Sequence, residues 1–347
     1  LKIQIKSFMG KFPGNQKHNF TEQKLDTIPA FEQIQQAVER IRPYVHQTPV
    51  LTCESLNRLV QAKLYFKCEN FQKVGAFKFR GATNTVFSLS PEALQRGVAT
   101  HSSGNHAAAL ALAARMRAAK AYIVMPRTAP TVKINAVAGY GAEIIFCEPT
   151  LQAREATVRQ VIEQTGAEFV HPYNDPRVIA GQGTAALELL AAQPHLDFIL
   201  TPVGGGGLLS GTALAAKKMA PQIKIIGVEP AGADDAFRSL QAGKILPSIQ
   251  PQTIADGLLT SLGTVTFGLI QKFVDEIVTV SEEGIIQAMR HIWERMKIVI
   301  EPSSAVPFGA LLEQKIDVAG KSVGIILSGG NVDLEKLPWG KSLRAGA

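Results

Sequence analysis

The chain has 347 residues, of which 46% are hydrophobic, 19% charged and 7% aromatic, with 30 glycines; this excludes disorder and points to one large or two modest α/β domains with many tight turns. The formal net charge is +7, yet residues 1–24 carry five lysines against one glutamate and so supply +4 of it; without an arginine-rich helix or a basic-aromatic stripe elsewhere, nucleic acid is not an expected partner. Cys53, Cys68 and Cys147 are too few and too widely spaced for a disulfide framework or a zinc site, and no apolar run reaches the roughly 18 residues of a membrane span, so the expected setting is the reducing cytoplasm.

Residues 1–27 lack sustained periodicity, begin without methionine and offer Met9 as an alternative start, and are expected to be a disordered extension. Ile28 to Ile41 reads as an amphipathic helix, because Ile34, Ala37, Val38 and Ile41 share one face and Pro43 follows. From Lys63, alternation of Leu64, Phe66 and Cys68 with Tyr65, Lys67 and Glu69 predicts a half-buried strand. Gly75 then introduces Ala76, Phe77, Lys78 and Phe79, which enclose one amine in apolar neighbours. Such surroundings lower a lysine's pKa and make it a nucleophile toward carbonyls; the ordinary alternative is a lysine whose stem packs on apolar surface while its head reaches water.

Ser90-Pro91-Glu92 has the signature of a helix start. Strands are predicted at Val98 to Thr100, Ala121 to Met125 and Glu143 to Cys147, alternating with helices at Asn105 to Met116, Ala129 to Ala138 and Leu151 to Gln164. A second series begins near Glu168, with strands at Phe198 to Thr201, Lys224 to Val228, Ile277 to Val280 and Val323 to Leu327. Its longest helices are expected at Gly183 to Ala192, Leu208 to Met219, Ser281 to Met296 and Ser303 to Glu313. Alternation of this kind implies parallel sheets.

Three glycine- or serine-rich segments follow predicted strands. In PVGGGGLLSG, Gly204, Gly205, Gly206 and Gly207 allow close approach of an anion to backbone N–H groups, and the helix beginning near Leu208 adds its dipole. The same glycines could form only a flexible turn, but four of them forfeit much chain entropy on ordering. SSGNH, Ser102 to His106, reads either as a carboxylate cradle at a helix start or as an ordinary cap. SGGN, from Ser328, places a hydroxyl at a strand's carboxyl end, where open α/β sheets bind ligands. Glu229, Asp234 and Asp235 follow another strand and suit either a hard divalent cation or a solvated acidic loop.

The motifs FKCENFQKVGAFKFRGA, SSGNHAAALA, AGQGTAALE, PVGGGGLLSG, GVEPAGADD, TIADG, MKIVIEPS and GIILSGGNVD occur in this order between Thr48 and Asp333. In this the chain resembles the serine racemase and serine/threonine dehydratase family of pyridoxal-phosphate enzymes of fold type II, a tryptophan synthase β-like architecture. The resemblance implies two parallel-sheet, three-layer domains, a large one from residues 28–96 and 171–340 and a small one from 97–170, in a homodimer. It implies that Lys78 is the Schiff-base lysine, that Phe77 packs on the cofactor ring, and that Gly204 to Gly207 with Leu208 hold the phosphate. Asn105 would bond the phenolic oxygen, and Ser328 would face the pyridine nitrogen. Ser102, Gly104, Asn105 and His106 would cradle the substrate carboxylate, with Asn174 and Gly257 nearby. Glu229, Ala233 through its carbonyl, and Asp235 would bind Mg²⁺, Ca²⁺ or Mn²⁺.

The activity implied is dehydration of L-serine or L-threonine to a 2-oxo acid and ammonia. Ser103, which resembles the opposite-face proton carrier of serine racemases, implies racemisation as well. Serine racemase or 3-hydroxyaspartate dehydratase as the main activity is the alternative, and a β-replacing cysteine synthase or a non-catalytic cofactor-binding protein fits the residues less well. Two positions depart from the family: Ala76 replaces a common small hydroxyl residue, and Ser304 replaces the glycine of EPSGA, which is expected to crowd the pocket or alter the loop. The end of the sequence soon after LSGGNVDLEKLPW is expected to leave no room for a C-terminal regulatory domain.

Overall fold

The computed structural model describes residues 28–339; the expected 1–27 extension lies outside them. Among the described residues ten strands form two sheets: β1 Val50–Leu51, β2 Lys63–Cys68, β3 Val98–His101, β4 Ala121–Pro126, β5 Glu143–Cys147, β6 Glu168–Phe169, β7 Phe198–Pro202, β8 Lys224–Pro230, β9 Glu276–Val280 and β10 Ser322–Leu327. Among the described residues the helices are α1 Phe31–Ile41, α2 Glu54–Val60, α3 Lys78–Phe87, α4 Pro91–Arg96, α5 Asn105–Met116, α6 Thr131–Gly139 and α7 Leu151–Thr165. They continue with α8 Pro176–Ala192, α9 Gly207–Met219, α10 Asp235–Ala242, α11 Thr264–Phe273, α12 Glu282–Met296 and α13 Pro302–Leu312.

The six-stranded sheet has the order β1-β2-β10-β7-β8-β9, and the four-stranded sheet the order β5-β4-β3-β6. All pairings are parallel except β1 with β2. The fold is therefore the expected α/β type built on parallel sheets, corrected at one edge to a mixed sheet. The connection from β1 to β2 is too short for a parallel crossover with packed layers on both faces, and the two-residue strand pairs antiparallel instead.

Strand order fixes where loops meet. The chain leaves β7 toward β8 and β9 on one side, while β10 and β2 lie on the other, so β7 and β10 flank a point where the order reverses. In the smaller sheet β3 is such a point, with β4 and β5 on one side and β6 on the other. Ligands of open α/β sheets bind beyond strand carboxyl ends at these positions. The carboxyl ends of β2, β10 and β7 carry the Lys78, Ser328 and glycine segments, and that of β3 carries SSGN.

Local expectations hold where capping chemistry is strong. Ser90 Oγ accepts from Ala93 N at 3.3 Å, and Ser281 Oγ accepts from Gly284 N at 3.0 Å. Helix α8 begins at Pro176 rather than near Gly183, capped by Asp175. Gly181 and Gly183, which look like breakers, are contact points: a Cβ on Gly181 would meet Gly81 Cα at 2.6 Å, and one on Gly183 would meet Gly211 O at 2.8 Å. Their absent side chains let α3, α8 and α9 approach closely.

Strand β2 follows the expected alternation through Phe66 and departs from it at Lys67, as does Glu69 just beyond its end. Lys67 and Glu69 are 1% and 0% exposed, as are Arg80 at 0% and, in part, Glu188 on α8. Arg80 forks onto Glu69 through Nε and a terminal nitrogen at 2.7 and 2.8 Å, and onto both Glu188 oxygens at 2.7 and 2.8 Å. Lys67 Nζ donates to Glu188 and to Thr48 O, each at 2.6 Å. Each ion is buried but bonded, which is the condition under which interior charge is tolerated. Breaking such a set from one side leaves the others uncompensated. Arg80→Ala is expected to lower stability by about 3 kcal/mol or more, measured as a lower urea midpoint; a midpoint within error of wild type would show that the network carries no net stability.

Candidate functional site

Lys78 opens α3, and Phe77 precedes it at the cap position. Their approach is unusual: Val74 has φ +57° and Gly75 φ +69°. For a β-branched residue this left-handed conformation is strained, and strain of this kind survives only where surroundings impose it. Here Asn331 Nδ2 donates to Val74 O at 2.7 Å, and Gly330 N donates to Gly75 O at 2.9 Å. Phe77 N donates to Ser328 O at 2.9 Å, and Ala76 bridges Gly329. The SGGN segment after β10 therefore clamps the turn that aims Lys78.

Lys78 Nζ donates to Pro172 O at 2.8 Å and lies 5.1 Å from the Phe77 ring centre. Burial lowers its pKa to about 8, with Glu301 opposing the shift. The shift enlarges the neutral fraction, which is the form that a nucleophilic amine needs.

The glycine segment joins β7 to α9 and adopts a conformation in which no side chain fits. A Cβ on Gly205 would lie 2.3 Å from the Tyr173 ring, and one on Gly204 3.0 Å from Leu258 Cα. Gly206 has φ +84°, and a Cβ there would meet Leu262 Cδ2 at 2.9 Å. Leu208, buried at 4%, follows in the first turn of α9. The segment is thus a cradle of bare backbone at a helix N-terminus, suited to a phosphate.

On the other sheet, α5 begins at Asn105 with Gly104 at its cap, and a Cβ on Gly104 would enter open space. Ser102 Oγ accepts from Gly104 N at 3.4 Å. Ser103 is half-buried on the same loop. Asn105 reaches across to the six-stranded unit: its Nδ2 donates to both oxygens of Glu301 at 2.9 and 3.1 Å, and its Oδ1 accepts from Asn331 at 2.9 Å. A second bridge, the ion pair of Lys133 on α6 with Asp256, parallels it. Gly257, exposed beside Asp256, donates from N to Ser303 Oγ at 3.2 Å, and its neighbour Leu258 rests on Gly204.

Two expected substrate contacts have other partners. The His106 ring is 2% exposed, with Nε2 3.2 Å from Val170 O. Burial pushes its pKa well below the usual value, so it can contribute to an anion cradle only through the backbone at the start of α5. Asn174 Oδ1 accepts from Val265 N at 2.9 Å and caps α11. Its side chain thereby positions the wall behind the glycine segment.

Ser328 is 3% exposed at the end of β10, and its Oγ lies 3.0 Å from Ser304 Oγ. Ser304 sits in the first turn of α13, so its backbone is helical and glycine is not required there; its fully buried hydroxyl faces Ser328 and Gly329. The altered loop geometry expected from the sequence is corrected accordingly.

Glu301 is a site residue that sequence reasoning misses. It is 4% exposed, and burial raises its pKa to about 7. It lies in the MKIVIEPS motif, which gives no sign of its reach, and only the fold brings it to Asn105. Tyr173 is a second such residue: its ring walls Gly205, and its hydroxyl pairs with Thr260 at 3.0 Å.

Away from this cleft, Glu229 ends β8 with its two oxygens accepting from Ala236 N at 3.0 Å and Phe237 N at 2.8 Å. Burial raises its pKa to about 9, and Asp235 beside it rises to about 6 for the same reason. Both Asp235 carboxyl oxygens are buried without a well-formed hydrogen bond. Among the described residues no three His, Cys, Asp or Glu side chains cluster as ligands, so a cation here would need a backbone carbonyl such as that of Ala233. No described helix is long and apolar enough to cross a membrane.

A family model described as pyridoxal-phosphate dependent enzyme matches residues 41–329. Over 312 residues the chain is 51% identical to a β-hydroxyaspartate dehydratase of Paracoccus denitrificans, covering 90% of this chain and 99% of that one. It is 53% identical over 310 residues to a serine racemase of Dictyostelium discoideum, covering 88% and 95%. The crystal structure of the Dictyostelium enzyme superposes with a TM-score of 0.86 over 89% of this chain and 100% of that one, at 52% identity. A serine racemase structure from maize gives a TM-score of 0.87 at 46% identity, covering 89% and 95%.

Proposed function

The chain belongs to the pyridoxal-phosphate-dependent enzyme family, as a lyase or racemase of amino acids, and on that premise we propose that it converts a β-hydroxy amino acid to a 2-oxo acid and ammonia, the water lost from the β-carbon being restored when the released enamine hydrolyses. Serine, threonine and 3-hydroxyaspartate are the candidate substrates, and racemisation of serine is the accompanying activity. The observation that carries this reading is the convergence of a partly neutral Lys78, a bare-backbone anion cradle and a second helix N-terminus with free space beside it.

The residues present fit the cofactor: the Gly204 to Gly207 segment is bare backbone at the N-terminus of α9, with no side chain of its own to cover N–H groups that could face a phosphate. Phe77 would lie against the ring, Asn105 near the phenolic oxygen, and Ser328 near the ring nitrogen. When bound, pyridoxal phosphate supplies an electron sink that makes the α-hydrogen of an amino acid acidic. Lys78 would hold the cofactor and, once freed by the substrate amine, would accept the α-proton as general base. Ser102, Gly104 and Asn105 orient the substrate carboxylate on the N-terminus of α5. Ser103 serves as the second proton carrier and decides how much of the α-proton flux returns to carbon. The bridges from Asn105 and Lys133 join the two sides of the cleft at its rim.

The same reading includes a small domain of residues 97–170 set within the large one, a homodimer, and a cytoplasmic setting consistent with three free cysteines. It also includes a divalent cation at Glu229, Ala233 O and Asp235. Two buried carboxyl groups with raised pKa values, and Asp235 oxygens that lack well-formed hydrogen bonds, suit such an ion. A specific observation favours serine racemase as the second reading: Ser103 stands on a different element from Lys78, so the two proton carriers can act independently.

Lys78→Ala is expected to abolish the visible absorbance of lysine-linked cofactor, and an unchanged spectrum would remove Lys78 from its role. In the wild-type apo-protein, attachment of cofactor should accelerate as pH rises to about 8 and level off above it, since burial has lowered the amine to that value and only the neutral form attacks. Incubation with L-serine, D-serine, L-threonine and 3-hydroxyaspartate should yield 2-oxo acid from at least one. Ser103→Ala should reduce the exchange of serine enantiomers at least about tenfold more than dehydration, by the usual scale of a lost proton carrier; equal loss of both argues against Ser103. Titration calorimetry with Mg²⁺ should show a site that Asp235→Asn weakens, and heat indistinguishable from dilution would refute the metal.

A further inference from the structure

The segment that crosses from the four-stranded sheet to α8 brings a histidine to the cleft. Strand β6 pairs with β3 in parallel, Glu168 beside Val98 and Phe169 beside Ala99, so His101 and His171 reach the same level at two neighbouring carboxyl ends. Their rings meet edge to face with centres 6.2 Å apart, and the SSGN loop starts at the residue after His101. On its other side His171 is followed by Pro172, whose carbonyl accepts from Lys78 Nζ at 2.8 Å. The half-buried His171 therefore lies between the lysine and the carboxylate cradle.

The His171 ring can carry its proton in only one place. Nδ1 accepts from Tyr173 N at 3.3 Å and from Asn174 N at 3.0 Å. Amide N–H groups can only donate, so Nδ1 bears no proton and Nε2 bears one. Nε2 has no hydrogen-bond partner among the described residues. Burial, with His101 and Lys78 adding to it, lowers the pKa to about 3, and a proton on Nδ1 would face two donors. His171 is thus a fixed, uncharged donor that does not take up a proton at neutral pH.

We propose that His171 is a substrate-binding residue whose Nε2–H donates to the oxygen on the substrate's β-carbon and so selects for a β-hydroxy group. This deepens the preceding reading and rests on it. An amino acid with its carboxylate on the start of α5 and its α-hydrogen toward Lys78 turns its side chain to the remaining wall, where His171 lies. Held there, the oxygen is oriented, and charge that gathers on it as its bond to carbon weakens is stabilised. No proton leaves the ring. The bland alternative is an imidazole that only closes the turn ahead of α8 through Nδ1. The two roles are separable because they use different nitrogens.

The test uses reconstituted holoenzyme and compares β-chloro-L-alanine, whose departing chloride is a poor acceptor, with whichever of L-serine, L-threonine and 3-hydroxyaspartate wild type turns over best. His171→Asn keeps an acceptor near the two backbone amides and loses the donor, whereas His171→Gln keeps a donor near the Nε2 position. The kcat/KM ratio of the hydroxy substrate to β-chloro-L-alanine should fall about tenfold in His171→Asn, the effect of one lost hydrogen bond to a group gaining charge. It should recover in His171→Gln. An unchanged ratio in His171→Asn, or equal loss with both compounds, defeats the role. Nitrogen NMR of histidine-labelled wild type adds a readout free of activity. The His171 signals, identified by their loss in His171→Asn, should show a protonated Nε2 and a bare Nδ1 from about pH 8 to about pH 5; any other state overturns the inference. If wild type releases 2-oxo acid from none of the four compounds, the reading of the site fails and this inference with it, whereas a failure confined to the His171 variants leaves that reading intact.

Discussion

The buried fork of Arg80 onto Glu69 and Glu188 is the interaction on which the geometry of the site depends. Arg80 lies two residues after Lys78 in the first turn of α3, Glu69 just beyond the end of β2, and Glu188 on α8. A guanidinium that meets two carboxylates in forked geometry fixes orientation as well as distance. Helix α3 therefore cannot rotate or slide against β2 or α8 without breaking bonds that no water can replace. Lysine would be a poor substitute, since an ammonium is a point donor with no preferred plane. Lys78 inherits its direction from this anchor, and the strained turn at Val74 and Gly75 is imposed between the anchor and the SGGN segment.

The two sheets meet through side chains rather than through a continuous hydrophobic layer at the cleft. Asn105 binds Glu301 and Asn331, and Lys133 pairs with Asp256, so the substrate-facing ends are joined by polar contacts at their rim. Deeper contacts are different: α3 and α5 pack closely around buried Phe79, Ala107 and Leu110. A firm apolar floor with a polar rim suits a cleft that must admit and release a small charged molecule. Exposed ion pairs are individually weak and break readily, while the floor keeps the relative placement of Lys78 and the start of α5.

Much of this is legible in the sequence, and the reasons differ from place to place. Regular alternation of apolar runs with periodic helices reveals the strand series, and residues such as Ser90 and Ser281 mark helix starts through a local hydrogen bond. The glycine cradle is legible because four ordered glycines have few other uses. The polar face of β2 is not, since alternation shows which residues differ in character but not whether a charged one finds partners inside. Lys67 is buried because Glu188 lies 121 positions away in sequence and adjacent in space. The first turns of α8 are hidden for a similar reason: Gly181 and Gly183 look like breaks until Gly81 and Gly211 are seen against them. Glu301 lies in the MKIVIEPS motif, which says nothing of its reach to Asn105, and Tyr173 carries no motif; only the fold brings them to the cleft.

The site's charge balance follows from what burial does to its ionisable groups. Lys78 falls to about 8 and Glu301 rises to about 7, each moved toward its neutral form by loss of hydration. His101 and His171 are likewise driven down, to about 4 and about 3, and remain uncharged near neutral pH. Negative groups entering the cleft are therefore met mainly by backbone N–H groups at the starts of α5 and α9 rather than by fixed cations. Such donors hold an anion without supplying a proton that could quench a basic amine nearby. The arrangement binds phosphate and carboxylate at two separate helix ends and leaves Lys78 free to exchange its proton, so its reactivity is a consequence of how the fold distributes dipoles and excludes charge.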